Sequence, residues 1–243
     1  MRTTNPVLNA KTFANVRRAE GTPAMTLEGT VNRTAFLLLI VIATATWTWM
    51  EAFIGAPIEG YLLAGLAGGF VVGLVTVFAP GIARFTAPVY AALQGLALGA
   101  ISAIYEAQFK GIVIQAVALT FGVLIALLIV YRLRIIPVTE NFKLGVCAAT
   151  GAIALFYLVA IGLSFAGVHI GMLHEGSLLG IGFSLFVITI AALNLVLDFD
   201  FIEQGVEQGA PKQLEWYAAF GLVVTLIWLY VAILRLLSKL RSR

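Results

Sequence analysis

The chemistry-bearing residues of this chain crowd into one stretch, Asn194-Leu-Val-Leu-Asp198-Phe-Asp200-Phe-Ile-Glu203-Gln-Gly-Val-Glu207. On a helix at about 100° per residue, Asp200, Glu203 and Glu207 fall within about 60° of one another. Asp198 lies nearly opposite, on the side shared with Asn194 one turn earlier. The acids therefore form two populations. Asp200, Glu203 and Glu207 read as a solvated face, whereas Asp198 is the first acid after an uncharged run of twenty-two residues. A carboxylate at such a boundary can reach water, pair with a cation, or take up a proton once desolvated. A shared or paired proton there would make a pH-sensitive latch; the plainer alternative is an acid that merely ends a helix.

Other polar groups suggest less. Glu106 and Lys110 stand four apart and read as a surface ion pair. Gln94, Gln115 and Asn194 lie inside apolar runs and read as bridges between helices before they read as pore lining. His169, His174 and Glu175 share one loop; two histidines make a thin ligand set, so metal binding stays open. No nucleophile elbow, His-Glu-x-x-His helix or phosphate loop occurs, and no apolar run contains a histidine. The sequence is read as non-enzymatic and without a cofactor.

The elements that must position these residues are membrane helices. Apolar residues make up 61% of the 243 and charged residues only 11%, where a soluble domain carries about a quarter charged. Seven runs approach the ~20 residues needed to cross a ~30 Å hydrocarbon layer. They cover about 34–53, 61–78, 86–105, 111–131, 144–165, 178–197 and 216–237. Backbone in lipid must satisfy its own hydrogen bonds, and these runs are about twice the length of barrel strands, so an all-α membrane protein with a seven-helix transmembrane bundle is predicted. The domain reading is a polar, disordered tail over 1–33, a seven-span domain over 34–238 and a basic tail over 239–243.

The net charge of +3 does not point to nucleic acid, because the basic residues sit at span ends and in the tail, as topology determinants do. With the N-terminus inside, ten Lys and Arg fall on that side and five on the other, which favours a cytoplasmic N-terminus. The basic C-terminus conflicts with an odd number of crossings, and one re-entrant segment would remove the conflict. Residues 1–33 lack the apolar centre of a signal peptide. The single cysteine, Cys147, leaves the redox compartment open. Gly65, Gly69 and Gly73, and likewise Gly95 and Gly99, recur every fourth residue, a spacing that lets helix backbones approach closely. Trp47, Trp49, Trp216, Tyr217, Trp228 and Tyr230 mostly fall near span ends, where amphipathic rings prefer the interface.

The chain resembles the Bax inhibitor family (transmembrane Bax-inhibitor-motif proteins), in its bacterial YccA-like branch. The resemblance is carried by Asn5-Pro-Val-Leu8, Gly99-Ala-Ile-Ser-Ala-Ile-Tyr-Glu106, Gly111-Ile-Val-Ile-Gln-Ala116 and, above all, the stretch from Asn194 to Pro211 with Glu215-Trp-Tyr-Ala-Ala-Phe-Gly221. It implies seven helices with the last one central among the other six. It also implies a pH-sensitive calcium leak whose latch pairs an acid ending the sixth helix with an acid in the seventh, near an arginine after the second. By position the first acid is Asp198, and Arg84 is a looser match to the arginine. The second acid does not carry over: Ala232 stands where the resemblance leads one to expect a glutamate. Asp198, Asp200 and Arg84 are therefore the candidate gating residues, with Asn194, Glu203 and Glu215 as candidate support.

Two functions follow as expectations. One is a cation leak channel in the cell's inner (plasma) membrane, with calcium as permeant ion. The other is a non-conducting modulator of a membrane protease or stress complex, contacting a membrane protein partner through the tail. The lipid bilayer is the partner common to both.

Overall fold

The computed structural model describes residues 23–165 and 177–242. Among them, seven helices are long and apolar enough to cross a membrane. In chain order these are α1 (Leu27–Phe53), α2 (Glu59–Phe78), α3 (Ala83–Gln108), α4 (Ile112–Arg132), α5 (Glu140–Phe165), α6 (Leu178–Glu207) and α7 (Leu214–Arg241). The protein is an all-α membrane protein. The shortest of the seven, α2, has 20 residues, so each can span by length and none need be re-entrant.

Two boundaries differ from expectation. Helix α1 begins at Leu27, not near Thr34, so residues 27–33 belong to a helix and not to a polar tail. Thr26 caps it by accepting a bond from the Gly29 amide at 3.0 Å, and Glu28 sits favourably at the positive end of the helix dipole. Residues 1–22 of the expected tail lie outside the described residues. At the other end α7 continues to Arg241, and Lys239 is buried inside it instead of starting a solvated tail.

The chain divides into two units. The first takes residues up to Gln108 together with Asp198–Val224, and the second takes Phe109–Leu197 with Thr225–Arg243. Helices α6 and α7 thus contribute to both.

In the first unit α3 is the element against which α1 and α2 pack. A Cβ on Gly95 would lie 2.5 Å from the Val41 carbonyl, and one on Gly65 2.5 Å from the Leu93 carbonyl. Gly65, Gly95 and Gly99 are thus where backbones meet, α2 to α3 and α3 to α1, whereas Gly69 and Gly73 face the Gln94 and Tyr90 side chains of α3. At that crossing α2 is π-helical over Ala64–Gly68. The aromatic reading needs correction at Tyr217. This residue is 1% exposed and belongs to a buried cluster with Tyr90, Phe201 and Phe220, not to an interfacial belt.

In the second unit Ile153, Val187, Ile190 and Ala232 form a buried cluster, with Tyr157, Phe183 and Trp228 packed against it. Buried hydroxyls throughout, including Thr30, Thr76, Thr120 and Ser184, bond to the carbonyl four residues earlier, the internal satisfaction that a low-dielectric surrounding demands. Helices α3 and α7 are equally the most buried spans, 56% of the most apolar window of each.

Candidate functional site

Among the described residues of the first unit, Asp198 and Glu215 are the two acids taken out of water, at 6% and 0% exposure. Asp198 follows three buried apolar residues, Leu195, Val196 and Leu197, on α6. Its carboxylate is directed at α7: a Cβ built on Gly221 would lie 3.9 Å from Asp198 Oδ1. Glycine at that position leaves the α7 backbone as the wall that the acid faces. The remaining acids of the stretch grade outward. Asp200 and Glu203 are half-buried and Glu207 is exposed. Asp200 accepts a bond from Gln204 Nε2 at 2.6 Å, one turn on.

Glu215 opens α7 and is held by three groups from the start of the described chain. The Thr26 amide donates to its Oε1 at 2.9 Å, the Thr26 hydroxyl donates to the same oxygen at 3.1 Å, and Arg33 forms an ion pair with it. Arg33 also donates to the Gly29 carbonyl at 2.9 Å, and its guanidinium stacks 5.3 Å over the Trp216 ring. Gly29 leaves the room the carboxylate occupies, since a Cβ there would collide with it. The strand-like segment ahead of α1 closes the arrangement. Met25 N donates to Ala210 O at 2.6 Å and Lys212 N to Pro23 O at 3.0 Å, around an isolated bridge between Ala24 and Pro211. The α6–α7 turn that receives it passes through Gly209 at φ 61°, a left-handed conformation glycine adopts without strain. Residues 23–26 therefore form a strap across the turn that joins Asp198's helix to Glu215's.

The cation that meets the buried Glu215 carboxylate is Arg33. Arg84 is exposed, and its guanidinium lies 4.3 Å over the Phe85 ring. Sequence reasoning assigned Arg33 to the tail and missed the pair. A usable signal was present: Glu215 shares a helical face with Ala218, Ala219 and Leu222, and an acid on an apolar stripe needs a partner.

In the second unit Asn194, 9% exposed, donates from Nδ2 to Thr150 Oγ1 and to the Ile190 carbonyl, both at 2.8 Å, so it bridges α6 to α5. Gln115 accepts from Arg241 at 2.9 Å and joins α4 to the end of α7. Ala232 sits in the apolar cluster of Ile153, Val187 and Ile190, a surrounding that supplies no acid to a latch. The second group missed is Lys239, 5% exposed, whose Nζ donates to Gly180 O and Ser184 Oγ, each at 3.1 Å. Among the described residues no grouping of three or more His, Cys, Asp or Glu could hold a metal ion. His169, His174 and Glu175 lie outside them.

No curated protein matches this chain. A family model does: the one described as Bax inhibitor 1 like matches residues 5–242, nearly the whole length. A match of that extent, over seven membrane-crossing helices and the acid-bearing stretch that ends the sixth, makes this chain a member of the Bax inhibitor 1 like family.

Proposed function

We propose that the protein is a multi-pass leak pathway for cations, calcium among them, whose conductance responds to protonation at Asp198. The observation that carries this reading is the position of that carboxylate, buried at the end of a membrane-crossing helix and facing α7 at Gly221. A charge taken out of water is costly unless compensated, and its cost disappears when the group is protonated. Protonation therefore changes how strongly α6 and α7 are held at this point, which is what a gate requires. Asp200, half-buried on the same helix, and Glu215, held by the strap, are the neighbouring acids through which the response is tuned. Arg84 has no part in this version of the latch.

The proposed site of action is the inner (plasma) membrane of the cell, with the N-terminus in the cytoplasm, on the Lys and Arg count. The protein acts without catalysis. Calcium flux tests the reading. Purified protein is reconstituted into vesicles loaded with a calcium indicator, and entry is followed between acid and neutral pH. A protein-dependent flux that changes with pH supports it; entry equal to that of empty vesicles at every pH contradicts it.

The apolar packing of Ala232 favours a second reading, a non-conducting modulator of a membrane protease or stress complex, because a paired-acid latch lacks its second acid. Crosslinking and pull-down, with and without the segment preceding α1, separates this from the first.

A further inference from the structure

Lys239 stands three residues after Leu236 and two before the end of α7, where a long basic side chain ordinarily extends to the membrane surface. Its neighbours Arg235, Leu240 and Arg241 are exposed, so that direction is open. The Lys239 side chain instead turns inward, leaving the residue 5% exposed, and its ammonium reaches the first turns of α6. There it meets two oxygens at equal distance, Gly180 O and Ser184 Oγ, both 3.1 Å from Nζ. The Ser184 hydroxyl spends its proton on the Gly180 carbonyl at 2.9 Å, which leaves its lone pairs aimed at the ammonium. A carbonyl oxygen beside a hydroxyl lone pair, in a dehydrated setting, is the donor type that replaces the water shell of a hard monovalent cation.

We propose that Gly180 O and Ser184 Oγ form part of a monovalent-cation subsite that Lys239 fills with its own tethered ammonium. The lysine supplies the charge the oxygens would otherwise draw from solution, and it keeps the site closed to free ions. Arg235, one turn earlier on α7 with its guanidinium 5.4 Å over the Tyr157 ring, adds positive potential on the same helix and favours an occupant that cannot dissociate. If the protein conducts as proposed above, the tethered charge is a fixed barrier to cations in this unit. The site itself does not depend on conduction, and its test is one of binding.

The probes are potassium, ammonium and methylammonium chloride, against choline chloride at equal ionic strength; choline is too large for a site built around an ammonium group. Thermal unfolding of the detergent-purified full chain is followed for wild type, Lys239→Ala, Lys239→Met and the double variant Lys239→Ala with Ser184→Ala. In Lys239→Ala the unfolding midpoint is expected to rise by roughly 2–5 °C in the small cations relative to choline and to saturate with concentration. Wild type and Lys239→Met, in which the side chain still fills the space, show no such difference, and the double variant loses it. Should Lys239→Ala not be recovered, Lys239→Ser, which adds a third oxygen, is measured against the same criteria. Equal midpoints in choline and in all three small cations for the truncated variant overturn the proposal, as does a shift that survives loss of the Ser184 hydroxyl. Either result leaves the flux experiment on wild type untouched.

Discussion

Glu215 and Arg33 form an ion pair in which the acid is fully buried, and the two residues come from the last and the first membrane helix of the chain. The pair lies beneath the strap of residues 23–26, so the entry to α1 and the α6–α7 turn are tied together by one carboxylate. Because α6 carries Asp198 a short way before that turn, whatever loosens Glu215 bears on the acid proposed to gate.

Removing one partner of a buried pair costs more than the pair itself contributes, because the other charge is left in a low-dielectric site. Arg33→Ala is expected to destabilise the folded protein by about 3–5 kcal/mol. Glu215→Gln, which keeps an acceptor for Thr26 and carries no charge, costs less. Combining Arg33→Met with Glu215→Gln should recover part of the Arg33→Ala loss. Unfolding in detergent by heat or denaturant measures all three; equal stability of Arg33→Ala and wild type contradicts the pairing.

The glycines divide by what surrounds them. Gly95→Ala places a methyl group into the Val41 carbonyl of α1, and overpacking of this kind costs about 1–3 kcal/mol. Gly122→Ala on α4 meets nothing within 4 Å, so it is expected to be neutral or to stabilise by up to about 1 kcal/mol through helix propensity. Comparing unfolding midpoints of the two variants checks the contrast.

Much of this was legible in the residues. The seven runs could be read because hydrocarbon thickness fixes how long an apolar helix must be, and the glycine spacing because it marks where backbones meet. Periodicity alone sets Asp198 on the face opposite Asp200 and Glu207; that this face is buried is shown only by the packing of the first unit. The Arg33–Glu215 pair did not, since nothing local links residues from the two ends of the chain. Lys239 was read as a tail charge because a basic residue near a helix end ordinarily reaches water; only the placement of the first turns of α6 turns it inward. The start of helix α1 is hidden in the sequence because Thr30 and Arg33 are polar, although each bonds to a carbonyl four residues earlier.

Topology can be read with single cysteines in a Cys147→Ser background. A cysteine at Arg134, in the turn after α4, is expected on the cytoplasmic side, and one at Lys110, in the turn after α3, on the opposite side. A membrane-impermeant maleimide added to intact cells should label the Lys110 position and spare the Arg134 position; the reverse pattern contradicts the proposed orientation.

The gate is tested most directly by calcium entry into vesicles containing wild type or Asp198→Asn, each measured from acid to neutral pH. Asparagine imitates the protonated, uncharged carboxyl and cannot titrate. The variant is therefore expected to conduct at one rate across the range, equal to the rate wild type reaches at its acid limit, while wild type departs from that rate as the pH rises. Identical pH profiles for the two proteins would contradict the assignment of the gate to Asp198.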